Sequence, residues 1–269
     1  MATLNNNYDK NSPIAFFDSG VGGLTVLNKV KALLPNESCI YYGDTLHMPY
    51  GEKSKEQLLE YSDNIFRFFE LKNCKAVVMA CNTTSSVIYE TVKDKYNFKL
   101  FPIVQSVSEI LAKLPVTRLG IFATRATITS NAYQNEIAKY NKNIKVFGQY
   151  CPDWVHIAEE NSMETTKSRD IIKRDLDKML ANNPEKIVLG CTHYPFLLDV
   201  LSEYSSKDLF IDPAIPFALH IKNELEKADL LTDNNNFHDL FYVSSNPENF
   251  KTAAKMFYEL SKVPELLVF

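Results

Sequence analysis

Two cysteines carry the strongest chemical signal in this sequence. Cys81 follows the apolar run Ala76–Met79 and precedes Asn82-Thr83, while Cys191 follows Lys186–Leu189 and precedes Thr192-His193. Each thiol stands where a buried strand is expected to end and a helix to begin. Ligands of open α/β sheets bind beyond the carboxyl ends of strands, and a helix start offers unpaired N–H groups with partial positive charge. There a thiol of pKa about 8.5 needs only a modest downward shift to act as a base near neutrality. Free cysteines more often serve as small buried hydrophobes, and Cys39, Cys74 and Cys151 are read that way. Two thiols in matching settings favour chemistry. His193 is placed to move a proton or to stabilise a thiolate. As half of a metal site it lacks any visible second ligand pair.

A second signal lies in glycine, of which the chain has only eight. Six fall in three short segments: Gly20, Gly22 and Gly23; Gly43 and Gly51; and Gly190 before Cys191. Glycine concentrated this way implies positive φ or close approach of a ligand to the backbone. The loop Asp18-Ser-Gly-Val-Gly-Gly23 reads as an anion-binding turn that opens a helix at Leu24. No Gly-Lys-Ser/Thr closes it and its spacing is not that of a dinucleotide loop, so a carboxylate is the better ligand. Asp18 is either part of that site or a helix cap. His47, His156, His220 and His238 read as surface or core residues, and by composition Glu159-Glu160 reads as a solvated face.

The elements that must position these residues form an α/β pattern. Strands are expected at Ile14–Phe17, Ser38–Tyr42, Ala76–Met79, Leu100–Val104, Arg118–Ala123, Ile144–Gln149, Lys186–Leu189, Leu209–Ile211 and Leu240–Val243. Their continuous apolar character implies parallel sheets covered on both faces. Apolar residues at helical spacing predict helices over Ser54–Glu70, with Ser54 and Gln57 as a capping box, over Asp170–Leu180 and over Glu248–Leu260. A faint repeat overlies the pattern. Lys75–Thr83 resembles Lys186–His193, with the cysteines 110 positions apart, and Ile14–Ser19 resembles Gly120–Arg125 at an offset of 106. Two similar halves are the expectation.

Composition narrows the class. Hydrophobic residues make up 45% of the 269 and charged residues 23%, as in ordinary globular proteins. A net charge of −4 argues against a nucleic-acid partner. No window approaches the ~20 apolar residues that span a membrane. Met1–Ser12 is polar, without the apolar stretch of a signal peptide. Five scattered cysteines fit a reducing cytoplasm.

Five segments in order resemble the glutamate racemase family of bacterial cell-wall synthesis: Phe16–Leu27, Tyr41–Gly51, Ala80–Ser85, the pattern TxxTIxSxxY over Thr124–Tyr133, and Leu189–Leu197. The resemblance implies two α/β domains about a pseudo-two-fold axis, residues 1–104 with 216–269 and residues 105–215, with the active site in the cleft between them. It implies an isomerase that interconverts L- and D-glutamate without cofactor or metal, one thiol removing the Cα proton while the other reprotonates the opposite face. By motif position Asp18 assists Cys81, and His193 and Glu159 assist Cys191. Asp18, Ser19, Tyr50, Gly51, Asn82, Thr83, Thr124, Thr192 and His193 would hold the substrate. A homodimer is the implied assembly. The chain departs from the family pattern at Leu46-His47-Met48, Gln105–Glu109, His156 and Asn161. Rival readings are an aspartate racemase of the same superfamily, a carboxylate-binding protein without turnover, and a nucleotide-binding enzyme.

Overall fold

The computed structural model describes residues 9–269; most of the polar stretch Met1–Ser12 lies outside them. The chain first lays down β1 (Ile14–Asp18), α1 (Leu24–Leu33), β2 (Cys39–Gly43), α2 (Lys55–Leu71), β3 (Ala76–Met79), α3 (Asn82–Val92), β4 (Lys99–Pro102) and α4 (Ile103–Leu111). It continues through β5 (Arg118–Ala123), α5 (Arg125–Thr129), α6 (Ala132–Tyr140), β6 (Lys145–Tyr150), α7 (Trp154–Glu159), α8 (Thr166–Leu180), β7 (Lys186–Gly190), α9 (Leu198–Tyr204) and β8 (Phe210–Ile211). The final stretch carries α10 (Ala214–Lys227), β9 (Leu240–Val243), α11 (Pro247–Ala254) and β10 (Glu265–Leu266). The fold class is α/β, as expected.

Two sheets result, ordered β10-β9-β2-β1-β3-β4 and β6-β5-β7-β8, with every pairing parallel. The faint repeat has a topological meaning. β1 and β5 occupy the same place in β2-β1-β3-β4 and β6-β5-β7-β8, and so do β3 and β7. The cysteines that follow β3 and β7 therefore stand at equivalent edges of equivalent sheets.

Alternation along the strands explains the layers. In β1, Ile14 and Phe16 face one apolar cluster with Leu24, Leu27 and Val30 of α1, and Ala15 and Phe17 face another with Phe66 and Phe69 of α2. The first cluster also takes in Leu119, Ile121, Tyr133 and Ile137 of the other half, so the halves share a core. A third cluster, centred on Phe122, Trp154, Leu176 and Leu189, covers the far face of the second sheet. Both faces of both sheets are thus dry, which is why the strands read as unbroken apolar runs.

Three boundaries differ from expectation. The strand expected to Val104 stops at Pro102, and α4 starts at Ile103, so the expected boundary between residues 104 and 105 falls inside a helix. Gln105, a departure from the family pattern, accepts a hydrogen bond from Ser85 Oγ at 2.8 Å and helps fix that helix to α3. The helix expected to Leu260 ends at Ala254; Phe257 and Leu260 stay buried through a turn in which Phe257 N–H donates to the Ala254 carbonyl at 2.8 Å. Helix α8 begins at Thr166 rather than Asp170, because Thr165 caps it by accepting from Ser168 N–H.

Candidate active site

Cys81 caps α3 directly after β3, whereas Cys191 leads into a short 3-10 turn, Tyr194–Leu197, rather than an α-helix. Both thiols line one cleft of about 700 Å³ at the carboxyl ends of the sheets, open on one side to solvent. Ser19, Tyr50, Gly51, Asn82, Thr83, Thr124, Thr192 and His193 line it as well. Asp18 and Glu159 stand behind this wall. Every expected site residue is therefore in the cleft wall or backs it.

The walls come from both halves. Thr83 Oγ1 of α3 lies 2.9 Å from Thr124 Oγ1 at the end of β5, and Tyr133 OH of α6 donates to Asn82 Oδ1 at 2.8 Å. Thr192 Oγ1 donates to Asp18 Oδ2 at 3.3 Å, joining the ends of β7 and β1. Gly22 and Gly51 lack side chains because of this closeness. No glycine in the described residues has positive φ, contrary to one expectation. Instead, a Cβ on Gly22 would lie 2.4 Å from Thr192 Oγ1 and 2.7 Å from the His193 ring, and one on Gly51 would lie 2.8 Å from Thr124 Cβ. It is protein, pressing across the interface, that excludes side chains there.

Asp18 is fully buried and accepts from Gly20 N–H at 3.0 Å. Burial pushes its carboxyl up to about 6, although His193 and the loop N–H groups pull the other way. Burial, and then the neighbouring Asp18 charge, push Cys81 up to about 12. This corrects the expected downward shift: desolvation outweighs the helix start, and the Cys81 thiol keeps its proton. His193 behaves oppositely. Burial opposes its charged form, yet Cys191 Sγ 3.9 Å from Nδ1 and Glu159 Oε1 3.1 Å from Nε2 raise it to about 10. The imidazole–Glu159 approach is close but not aligned as a hydrogen bond, so charge rather than a directed bond links them. Glu159, only partly exposed, is not the solvated face that composition suggests.

One buried atom of the cleft wall is notable for what it lacks. Asn82 Nδ2 faces no acceptor in the protein, although its residue lines the cleft. A buried N–H without a partner is costly. Tyr50 is the reverse case: its hydroxyl donates to Asp44 Oδ2 at 2.5 Å, so its polar end is engaged in the wall. Asp44 also accepts from Ser244 Oγ at 2.6 Å and lies 2.8 Å from His47 Nδ1, which fixes the turn carrying Tyr50 and Gly51.

Sequence reasoning missed several wall residues: Met48, Arg125, Tyr150, Cys151, Val155 and His156. Cys151, read as structural, is buried yet lines the cleft, and His156, read as surface or core, stands at its rim. Arg125, Tyr150 and Cys151 follow or end β5 and β6, and the strand-end rule applied to every strand would have found them.

The sequence pattern of the Asp/Glu/hydantoin racemases matches residues 24–215. The chain belongs to that family. The racemase is an isomerase, and it is 36% identical over 246 residues to the glutamate racemase of Thermoanaerobacter pseudethanolicus, covering 91% of this chain and 92% of that one. It superposes on the crystal structure of Francisella tularensis glutamate racemase in complex with D-glutamate at a TM-score of 0.89 and 30% identity, covering 97% and 98% of the two chains. The aspartate racemase of Picrophilus torridus is 19% identical, with a TM-score of 0.61 over 81% of this chain and 97% of that one, and shares the fold alone. Among the described residues no helix is long and apolar enough to cross a membrane, and no three His, Cys, Asp or Glu side chains gather as a metal site would require.

Proposed function

We propose that this racemase interconverts L- and D-glutamate, with Cys81 and Cys191 as the two proton-transferring groups, and so supplies D-glutamate to cell-wall synthesis. The observation that carries the reading is the pair of thiols at equivalent ends of equivalent sheets, lining one cleft. Such a pair presents two like groups to opposite sides of one small molecule. Cα deprotonation then breaks the C–H bond toward one sulfur, and the carbon receives a proton from the other sulfur on the opposite face.

The two thiols have different helpers. Asp18 lies behind Cys81 and, ionised above about pH 6, is the group that takes up the thiol proton when Cys81 acts as base. Cys191 Sγ lies 3.9 Å from His193 Nδ1, and Glu159 Oε1 lies 3.1 Å from the far nitrogen of that ring, so His193 is placed to pass protons to and from this thiol. The cleft is lined by donors that suit the charge developing on the substrate carboxylate: Thr83, Thr124, Thr192 and the unpartnered Asn82 Nδ2. Glutamate is favoured over aspartate by the relatives described above. The reading keeps two domains, residues 1–104 with 216–269 and residues 105–215, and a reducing cytoplasm for the five unpaired, buried cysteines.

The test is incubation with L-glutamate in D2O, following chirality and Cα label together. D-glutamate carrying solvent deuterium, with little early label in the remaining L-glutamate, is the expected result. Replacing either Cys81 or Cys191 with alanine should abolish inversion while the circular dichroism stays unchanged. Inversion of aspartate alone would keep the chemistry and replace the substrate; a cysteine variant turning over at wild-type rate would remove that thiol from the mechanism.

A further inference from the structure

Two charged side chains of the cleft wall meet across the two halves. Glu52, in the short 3-10 turn Tyr50–Glu52 of the first half, lies 3.3 Å through Oε2 from Arg125 Nε at the start of α5. The Arg125 guanidinium also stands over the Tyr150 ring, 4.7 Å from its centroid, and donates from an η nitrogen to Tyr150 OH at 2.9 Å. Glu52 and Arg125 line the inner cleft and also a second, shallower concavity of about 650 Å³ outside it. They are the partition between solvent and the thiols.

Two properties of this partition go beyond a simple latch. Arg125 is the one Lys or Arg side chain lining the inner cleft, among the described residues. Its ion pair is weakly held: both side chains are more than half exposed, and such pairs contribute only about 0–1 kcal/mol. A carboxylate arriving from solvent can therefore displace Glu52 at little cost. The Tyr150 ring and hydroxyl meanwhile hold the guanidinium plane in place, so the fork is prepared for a two-point contact with a carboxylate.

We propose that Arg125 is the carboxylate-gathering residue of this racemase: it exchanges Glu52 for a carboxylate of the incoming dicarboxylic amino acid at the mouth of the cleft. The assignment rests on the glutamate reading above and deepens it. Glutamate carries two carboxylates and one ammonium. Arg125 takes the carboxylate that leads or trails the molecule inward, while the donors near the cysteines meet the one at Cα. Glu52 then acts as a competitor, occupying the guanidinium when no substrate is there.

The test uses glutarate, a dicarboxylate that cannot racemise, titrated calorimetrically into the wild-type protein and into Arg125→Gln, Arg125→Lys and Glu52→Gln at low and high salt. Arg125→Gln should weaken glutarate binding about five- to ten-fold at low ionic strength and lose most of the salt dependence. Arg125→Lys should fall between, keeping the charge without the fork. Glu52→Gln should bind as tightly as wild type or tighter. In turnover, Arg125→Gln should lower kcat/KM for glutamate in the same proportion, with kcat changed less than about two-fold. A pair that merely latches the halves predicts that Glu52→Gln and Arg125→Gln weaken binding alike, and that result would overturn the proposal. So would wild-type affinity and salt dependence in Arg125→Gln, or no saturable glutarate binding to the wild type. Failure of the wild type to invert glutamate would instead remove the substrate reading, leaving the glutarate titration to report on Arg125 by itself.

Discussion

Asp18 and His193 stand on the two sides of one buried contact and hold protons against opposite pressures. The Asp18 carboxyl is raised from its ordinary 3.8 to about 6 by burial. Between those values the unfolded chain has given up the proton while the folded chain keeps it, so this group makes stability fall as pH rises through that window. Asp18→Asn has no charge to bury, so its melting temperature should gain on wild type between about pH 4 and 6; a constant difference would refute the burial argument. The ionised form is the one proposed to serve Cys81, so kcat/KM should fall as pH drops below about 6. His193 is raised from 6.5 to about 10 by Cys191 and Glu159 against its burial. The stability it supplies is complete below 6.5 and lost as pH rises through 10. His193→Asn should flatten the decline of melting temperature over that range, and a variant that declines as steeply as wild type would show that His193 is not the group responsible.

At the level of elements, two contacts set the frame. Ser54 caps α2 through both halves of a capping box with Gln57, next to the turn that carries Tyr50 and Gly51. Ser54→Ala should cost about 1 kcal/mol in urea unfolding, and no loss would mean that the packed face of the helix alone holds its end. Lys75, wholly buried at the start of β3, donates to Glu37 Oε2 at 2.6 Å, and Glu37 Oε1 accepts from Thr232 N–H at 2.9 Å. Glu37→Leu leaves the ammonium with the Lys10 carbonyl but no counter-charge and should destabilise the protein by about 3–5 kcal/mol; a far smaller change would mean that Lys75 reaches water or gives up its proton. The capping box was legible from four residues, because a local hydrogen bond needs only local spacing. The Lys75–Glu37 pair was not, nor was Asp44 with Ser244, 200 residues away, because no periodicity encodes a long-range polar contact. Cys81 and Cys191 were legible because each follows an apolar strand and precedes a pair of polar residues. Arg125 and Tyr150, at the ends of β5 and β6, were open to the same strand-end reading, whereas His156 on α7 was not, since its approach to the cleft exists only once both sheets are placed. The early end of α11 has a similar cause: Phe257 and Leu260 keep helical spacing but reach the core through a turn.

In the whole molecule the site is a joint. Neither sheet contains it, and the atoms that press Gly22, Thr192 and His193 together belong to different halves. Gly22→Ala should therefore leave far-ultraviolet circular dichroism intact while lowering racemisation more than about ten-fold, because the added methyl must push Thr192 and His193 out of place. Wild-type turnover in that variant would show that the halves have room to spare.

The pairing of β9 with β2, and of β10 with β9, has a consequence during synthesis. Until residues 240–266 emerge from the ribosome, β2 offers the nascent chain a bare edge, with hydrogen-bonding groups open to any passing strand. The second sheet, made wholly from residues 118–211, is complete well before. The second sheet is thus completed before the first, whose β2 edge stays exposed longest, a period in which chaperone binding would matter most.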